Sequence, residues 1–225
     1  DFCCTSHFFN RRYIPFAKTG RDLHEAILKM EREAREAGDD LAGFILIDED
    51  FFLQKQRAKE YLECVRREGR AISIMGFGSV RGLSQFTADE IAEMGFETIW
   101  TAFESPSAAY EKMKGRDLGT LFRDLQSRGI AILSSMIIGF PHQDRAGILS
   151  DFELLMSLEP SFTQILIYFA FPGTPFYEQA IAEDRYLPQY REHPDYRRWD
   201  GFSMHFKHPH LTAQEVEALQ RELYR

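Results

Sequence analysis

The stretch AGFILIDEDFF, residues 42–52, decides the fold. Residues 42–48 form a short continuous apolar run that ends in an acid. A parallel strand reads this way when helices cover both faces of its sheet. Asp48, Glu49 and Asp50 stand where the run stops. Such a triplet is ordinarily a solvated loop, and it also has the make-up of a magnesium site. Its place directly after a buried strand favours a ligand role, because open and closed parallel sheets both bind ligands at the carboxyl ends of their strands.

Upstream, GRDLHEAILKMEREAREA, residues 20–37, sets Leu23, Ile27, Met30 and Ala34 on one helical face, and Gly38 is the stop. Downstream the alternation continues. A helix over 54–68 stops at Gly69, and AISIMGF, residues 71–77, is the next strand. Thr87 and Glu90 have capping-box spacing ahead of a helix, which leads to the strand FETIWTAF, residues 96–103. A helix over 117–128 precedes the strand AILSSMIIGF, residues 131–140. A further helix near 144–157 leads to TQILIYFAF, residues 163–171, and then to a helix over 174–184 with Pro175 at its first position. Strict alternation of this kind implies a parallel sheet with right-handed crossovers, either doubly wound or closed as a barrel. From about residue 186 an aromatic, His- and Pro-rich arm takes over, ending in a helix capped by Thr212 and Glu215.

The totals exclude several classes. The chain has 225 residues and a net charge of -8, with 35 acidic and 27 basic side chains, which argues against a general nucleic-acid surface. No apolar run reaches the ~20 residues of a membrane span. Three cysteines make no disulfide framework and fit a reducing cytoplasm.

The strand ends, taken together, resemble the radical S-adenosylmethionine enzymes, nearest to the branch with a cobalamin-binding domain upstream. That family carries C-x-x-x-C-x-x-C after its first barrel strand, with an aromatic residue before the last cysteine. Asp1-Phe2-Cys3 matches the end of this motif, and the residues that follow, TSHFF and RRY, are similar to what succeeds it. FILIDEDFF (44–52), IWTAFES (99–105), SSMIIGFPHQ (134–143) and FPGTPFYEQ (171–179) resemble later blocks of the family in order and spacing. The family often has Gly-Glu where this chain has His142-Gln143.

The resemblance implies a partial (β/α)6 TIM-like barrel over residues 1–185, lacking its first strand, with a C-terminal arm and helix over 186–225. It implies that Cys3 is a thiolate ligand of a 4Fe–4S cluster and that the chain starts inside the cluster motif, so that alone it is inactive. S-adenosylmethionine would meet Phe2, one or more of Asp48, Glu49 and Asp50, then Glu104 near the ribose, and Ile137 and Gly139 near the adenine. The implied chemistry is reductive cleavage to a 5′-deoxyadenosyl radical, with cobalamin-dependent methyl transfer as an outcome. The implied partners are a small-molecule substrate and an electron donor such as flavodoxin or ferredoxin.

Blander readings stand beside these. Cys3 on its own reads as a small hydrophobe, Cys4 as packing, and Cys64 as core at an apolar helix position. A zinc site of Cys3, Cys4 and His7 lacks the spacing of paired structural ligands. Glu104 also suits a cap on the turn after its strand. His205, His208 and His210 look like a metal cluster but, in an irregular arm, read as surface or lid residues. Two other functions remain open: a barrel that binds S-adenosylmethionine or another nucleotide without turnover, and a metal-dependent barrel hydrolase using the acidic triplet and the histidines.

Overall fold

The computed structural model describes residues 4–10, 12–105, 117–191 and 196–225. Five strands are present: β1 Phe44–Leu46, β2 Ile74–Phe77, β3 Phe96–Phe103, β4 Ala131–Ile138 and β5 Phe162–Ile167. Their order in the sheet is β1-β2-β3-β4-β5, with β1, β2 and β3 in parallel register. Spatial order follows chain order without reversal. A doubly wound sheet reverses at a switch point, so this winding is that of a barrel segment. The helices are α1 Cys4–Phe8, α2 Gly20–Ala37, α3 Lys55–Glu68, α4 Val80–Leu83, α5 Ala88–Glu93, α6 Leu118–Gln126, α7 Arg145–Ser157, α8 Pro175–Ala182, α9 Pro188–Arg191 and α10 Ala213–Leu223. None of the described helices is long and apolar enough to cross a membrane.

The chain divides into two compact units. The first comprises residues 15–135 and 155–163; the second comprises 1–14, 136–154 and 164–225.

In the first unit the helix boundaries follow local chemistry. α2 has the bounds expected of residues 20–37, and Thr19, not named in the sequence reading, caps it in a reciprocal box with Asp22. Gly38 and Gly69 end α2 and α3 in the left-handed conformation. Leu23 and Ile27 of α2 are buried, whereas Met30, expected on the same face, is 55% exposed, because only the first turns of α2 reach the core. The core gathers Phe51, Phe52, Tyr61, Ile74, Ile91, Met94, Phe96, Ile99, Phe122 and Ile132.

One expectation fails. Residues 42–48 do not form a strand buried on both faces. β1 keeps only three residues, and its Phe44 and Leu46 pack on the core. Ile45 is 63% exposed and Ile47, just beyond the strand, 88%. Alternation carries this two-sidedness into β2, where Ile74 and Gly76 are buried while Met75 and Phe77 are half-buried. It continues in β3, where Ile99, Thr101 and Phe103 are buried while Trp100 and Ala102 are half-buried. The sheet of this unit therefore has a covered face and an open face, as a barrel wall does.

In the second unit the arm is not a loose strap. Tyr186 forms an isolated antiparallel bridge with Phe206, and Met204, His205 and Phe206 are fully buried. Tyr224 and Gln220 of the C-terminal segment both hydrogen-bond the backbone of Ile165 in β5.

α2 meets α3 closely at Gly20, whose N–H donates to Glu60 Oε2 at 3.1 Å. A Cβ there would overlap the backbone of Arg57 and Tyr61. Gly20→Ala should lower stability by about 2 kcal/mol through forced separation of α2 and α3. Gly38→Ala, strained but in open space, should cost about 1 kcal/mol. Urea midpoints at fixed m-value report both; equal midpoints for Gly20→Ala and wild type would contradict the packing described.

Candidate functional site

The acidic triplet divides into three environments. Phe51 and Phe52 enter the core through a 3-10 turn, Phe51–Leu53, and pull the triplet against the sheet. Asp48 Oδ2 accepts from Arg57 Nη1 of α3, and both side chains are nearly sealed from water, at 8% and 9% exposure. The Arg57 guanidinium carbon lies 5.4 Å from the centroid of the Phe51 ring, so the cation also meets a π face. Glu49 is exposed.

Asp50 lies beneath the turn that follows β2. Burial pushes its pKa up, against hydrogen bonds from the Ser79 side chain and backbone and from the backbone of Leu53; the Asp48 charge adds to the rise. Its Oδ1 is buried without a hydrogen-bond partner among the described residues. A Cβ on Gly82 would come within 2.6 Å of that oxygen, so a larger residue there would have to displace the carboxylate. Ser79 meanwhile caps α4, accepting from Gly82 N at 3.1 Å.

Two strands along, Glu104 directly follows β3 and is 6% exposed. On the open face, Phe77 and Trp100 are register partners and stack at 5.0 Å between centroids. The first unit thus brings acidic groups and a flat aromatic surface to the carboxyl side of one parallel sheet.

In the second unit, Ile137 is half-buried on β4 and Gly139 turns the chain with φ +83°. The next residues form a closed turn. Gln143 N donates to Phe140 O at 2.9 Å, and Phe140 N donates to Gln143 Oε1 at 3.0 Å. Phe140 stacks on Tyr168 at 4.5 Å and on His142 at 5.6 Å.

Phe2 and Cys3 lie outside the described residues, which leaves the cluster end of the expected site without a structural account. Cys64 is a free, buried thiol on α3, as its apolar position predicts. The three histidines do not behave as one group. His205 is fully buried, correcting its reading as a surface residue; it stacks on Tyr190 at 4.1 Å, and its Nε2 donates to Arg198 O at 3.0 Å. His208 is half-buried and bonded to Phe140 O, and His210 is exposed. Among the described residues, no group of three or more His, Cys, Asp or Glu is arranged to hold a metal ion.

Sequence reasoning missed Arg57. The signal was present: Arg57 sits on the stripe that also carries Tyr61 and Val65, a cation on the buried face of a helix. Such a cation requires an anion partner. Gln143 and His208 were both named from the sequence, but not their bonds to Phe140, since the partner is its main chain, which carries no mark in the sequence.

No protein-family model matches the chain. A curated relative, an uncharacterised methyltransferase of Pyrococcus horikoshii, is 25% identical over an alignment 228 positions long that covers 99% of this chain and 47% of that protein. The chain therefore spans about half the length of the curated relative it matches. The fold is shared with a radical S-adenosylmethionine methyltransferase, TsrM, from Kitasatospora setae. Its structure with cobalamin and a 4Fe–4S cluster bound gives a TM-score of 0.55 at 17% identity, covering 71% of this chain and 34% of that one. Its structure with tryptophan substrate and an S-adenosylmethionine analogue bound gives 0.55 at 18% identity, covering 73% and 34%.

The buried pair yields a test independent of any ligand. Arg57→Met leaves Asp48 in a dry site without its cation and should cost about 3 kcal/mol. Asp48→Leu on that background should restore part of the loss, since an apolar pair no longer desolvates a charge. A double-mutant cycle from urea unfolding checks this; additive losses would show that the two side chains do not act as a pair.

Proposed function

We propose that this chain forms most of the catalytic barrel of a radical S-adenosylmethionine enzyme, and that the whole protein is a methyltransferase. One observation carries the reading: the match to a curated methyltransferase runs along 99% of the chain. The fold shared with TsrM supports the first half of the proposal.

The residues present suit S-adenosylmethionine. Asp50 Oδ1 is a buried acceptor with bonding capacity to spare, which matches an ammonium donor. Glu49, exposed beside it, is the second acceptor for that group. Asp48 takes part as the charge that Arg57 clamps, which holds the strand end in shape. Glu104 is the acceptor assigned to the ribose. Ile137 and Gly139 supply the apolar, close-approach wall assigned to adenine. Phe2 and Cys3 belong to the cluster loop, with Cys3 as one thiolate ligand.

When bound, the 4Fe–4S cluster supplies the electron that cleaves S-adenosylmethionine to a 5′-deoxyadenosyl radical. The chain's own residues hold the amino acid end, orient the nucleoside and shield the mouth of the sheet from water. In the same reading a flavodoxin or ferredoxin delivers the electron. If the whole protein also holds a cobalamin, that group would supply methyl transfer to a small-molecule substrate, taking the methyl from a second S-adenosylmethionine that leaves as S-adenosylhomocysteine; the proposed setting is the cytoplasm.

The test is anaerobic reconstitution of the full-length protein with iron and sulfide. A stable brown 4Fe–4S absorbance is expected, and Cys3→Ala should abolish it. Asp50→Asn and Glu49→Gln should each weaken S-adenosylmethionine binding about tenfold, read by equilibrium dialysis. A full-length protein that stays colourless, or dissociation constants that ignore both substitutions, would overturn the proposal.

A further inference from the structure

The turn at the end of β4 is held from outside its own segment. Phe140 O accepts twice, from Gln143 N within the turn and from His208 Nε2 at 2.8 Å. Turn and histidine are 68 residues apart in sequence and lie in the same unit. The other ring nitrogen is also engaged: His208 Nδ1 accepts from His210 N and Leu211 N, both at 3.1 Å. Only one protonation state satisfies this set. Nε2 must carry the hydrogen that Phe140 O receives, and Nδ1 must be bare to receive two N–H groups. A protonated ring would point an N–H at two N–H donors.

We propose that His208 is a positioning residue: as a neutral imidazole it pins the Gly139–Gln143 turn to the C-terminal arm, so that docking of the arm sets the shape of the wall that meets adenine. The assignment of that wall rests on the function proposed above; the pin itself does not. Gly139 is also packed against the arm, where a Cβ would meet Val216 Cγ1 at 3.2 Å and Met204 Sδ at 3.6 Å. The arm thus reaches the turn through both apolar packing and a hydrogen bond.

The pin is sensitive to pH. Burial pushes the His208 pKa below its ordinary value, against the hydrogen bond to Phe140 O, which raises it. The titratable groups that face it, His210 and His142, both oppose a positive charge. Folding therefore favours the neutral ring. The contribution of His208 is complete above the unfolded pKa of ~6.5 and is lost as pH falls below it, until the folded group itself protonates.

Two substitutions separate the roles of the ring nitrogens. His208→Gln keeps a donor at the Nε2 position and loses the Nδ1 acceptor. His208→Asn keeps the acceptor and cannot reach Phe140. Amide hydrogen exchange in the full-length protein reads the pin without any cofactor. Protection of the Phe140 N–H, which donates to Gln143, should fall about fivefold in His208→Asn and stay near wild type in His208→Gln. In wild type the same protection factor should drop between about pH 7.5 and pH 5.5. Binding of S-adenosylmethionine, by dialysis at about pH 7.5, should weaken about fivefold in His208→Asn alone. Unchanged Phe140 protection in both the Asn variant and the pH series overturns the pin. Lost protection with unchanged affinity overturns its positioning role. A wild type that binds no S-adenosylmethionine refutes the proposed function instead, and the exchange result still decides the pin.

Discussion

Phe51 and Phe52 anchor the acidic end of β1. Both rings are fully buried. Phe51 meets Phe96 at 5.6 Å and Tyr61 at 6.0 Å, and Phe52 meets Phe96 at 4.9 Å and Phe86 at 5.7 Å. Burying each ring gives roughly 1.5–3 kcal/mol, which offsets much of the ~1–2 kcal/mol per residue that ordering the acidic loop costs. The rings drive the chain back under the sheet directly after Asp50. Three carboxylates that would prefer bulk water are thereby held at a strand end. Their different fates follow from where the backbone puts them: Asp48 against a cation, Glu49 in solvent, Asp50 beneath a serine-capped turn.

The same anchoring explains the two-faced sheet. Core rings, α2 and α3 occupy one side of β1, β2 and β3, and the residues of alternate parity face the other way. Ile45, Ile47, Phe77 and Trp100 are apolar without being core. The apolar open face thus lies in the same unit as the strand-end carboxylates. A buried ion pair such as Asp48–Arg57 is a weak source of net stability, because desolvation offsets most of the attraction. Its value here is geometric: it fixes where β1 ends.

Much of this was legible in the sequence. The five strands and the helices between them fall close to where apolar runs and caps place them, and Thr87 with Glu90 and Thr212 with Glu215 form the boxes their spacing announces. The acidic triplet and Gly139 were identifiable as strand-end residues. The reading of residues 42–48 as doubly covered failed because an apolar run reports that a strand avoids water, not what covers each face. Arg57 could have been found from its place on an apolar helical stripe. The bonds of Gln143 and His208 to Phe140 could not, since a side chain that bonds the main chain leaves no periodic trace.

The sequence by itself determined the local order: which segments are strands and helices, where they stop, and which residues stand at the strand ends. Those properties depend on neighbours a few positions apart, through caps, turn glycines and the alternation of apolar side chains. Tertiary structure alone decided that Asp48 is clamped while Asp50 keeps a bare oxygen, that one sheet face is open, and that His205 is interior while His208 braces the β4 turn. Each of these depends on groups brought together from far along the chain, where burial and hydrogen-bond geometry, rather than residue type, set the protonation state and the partner.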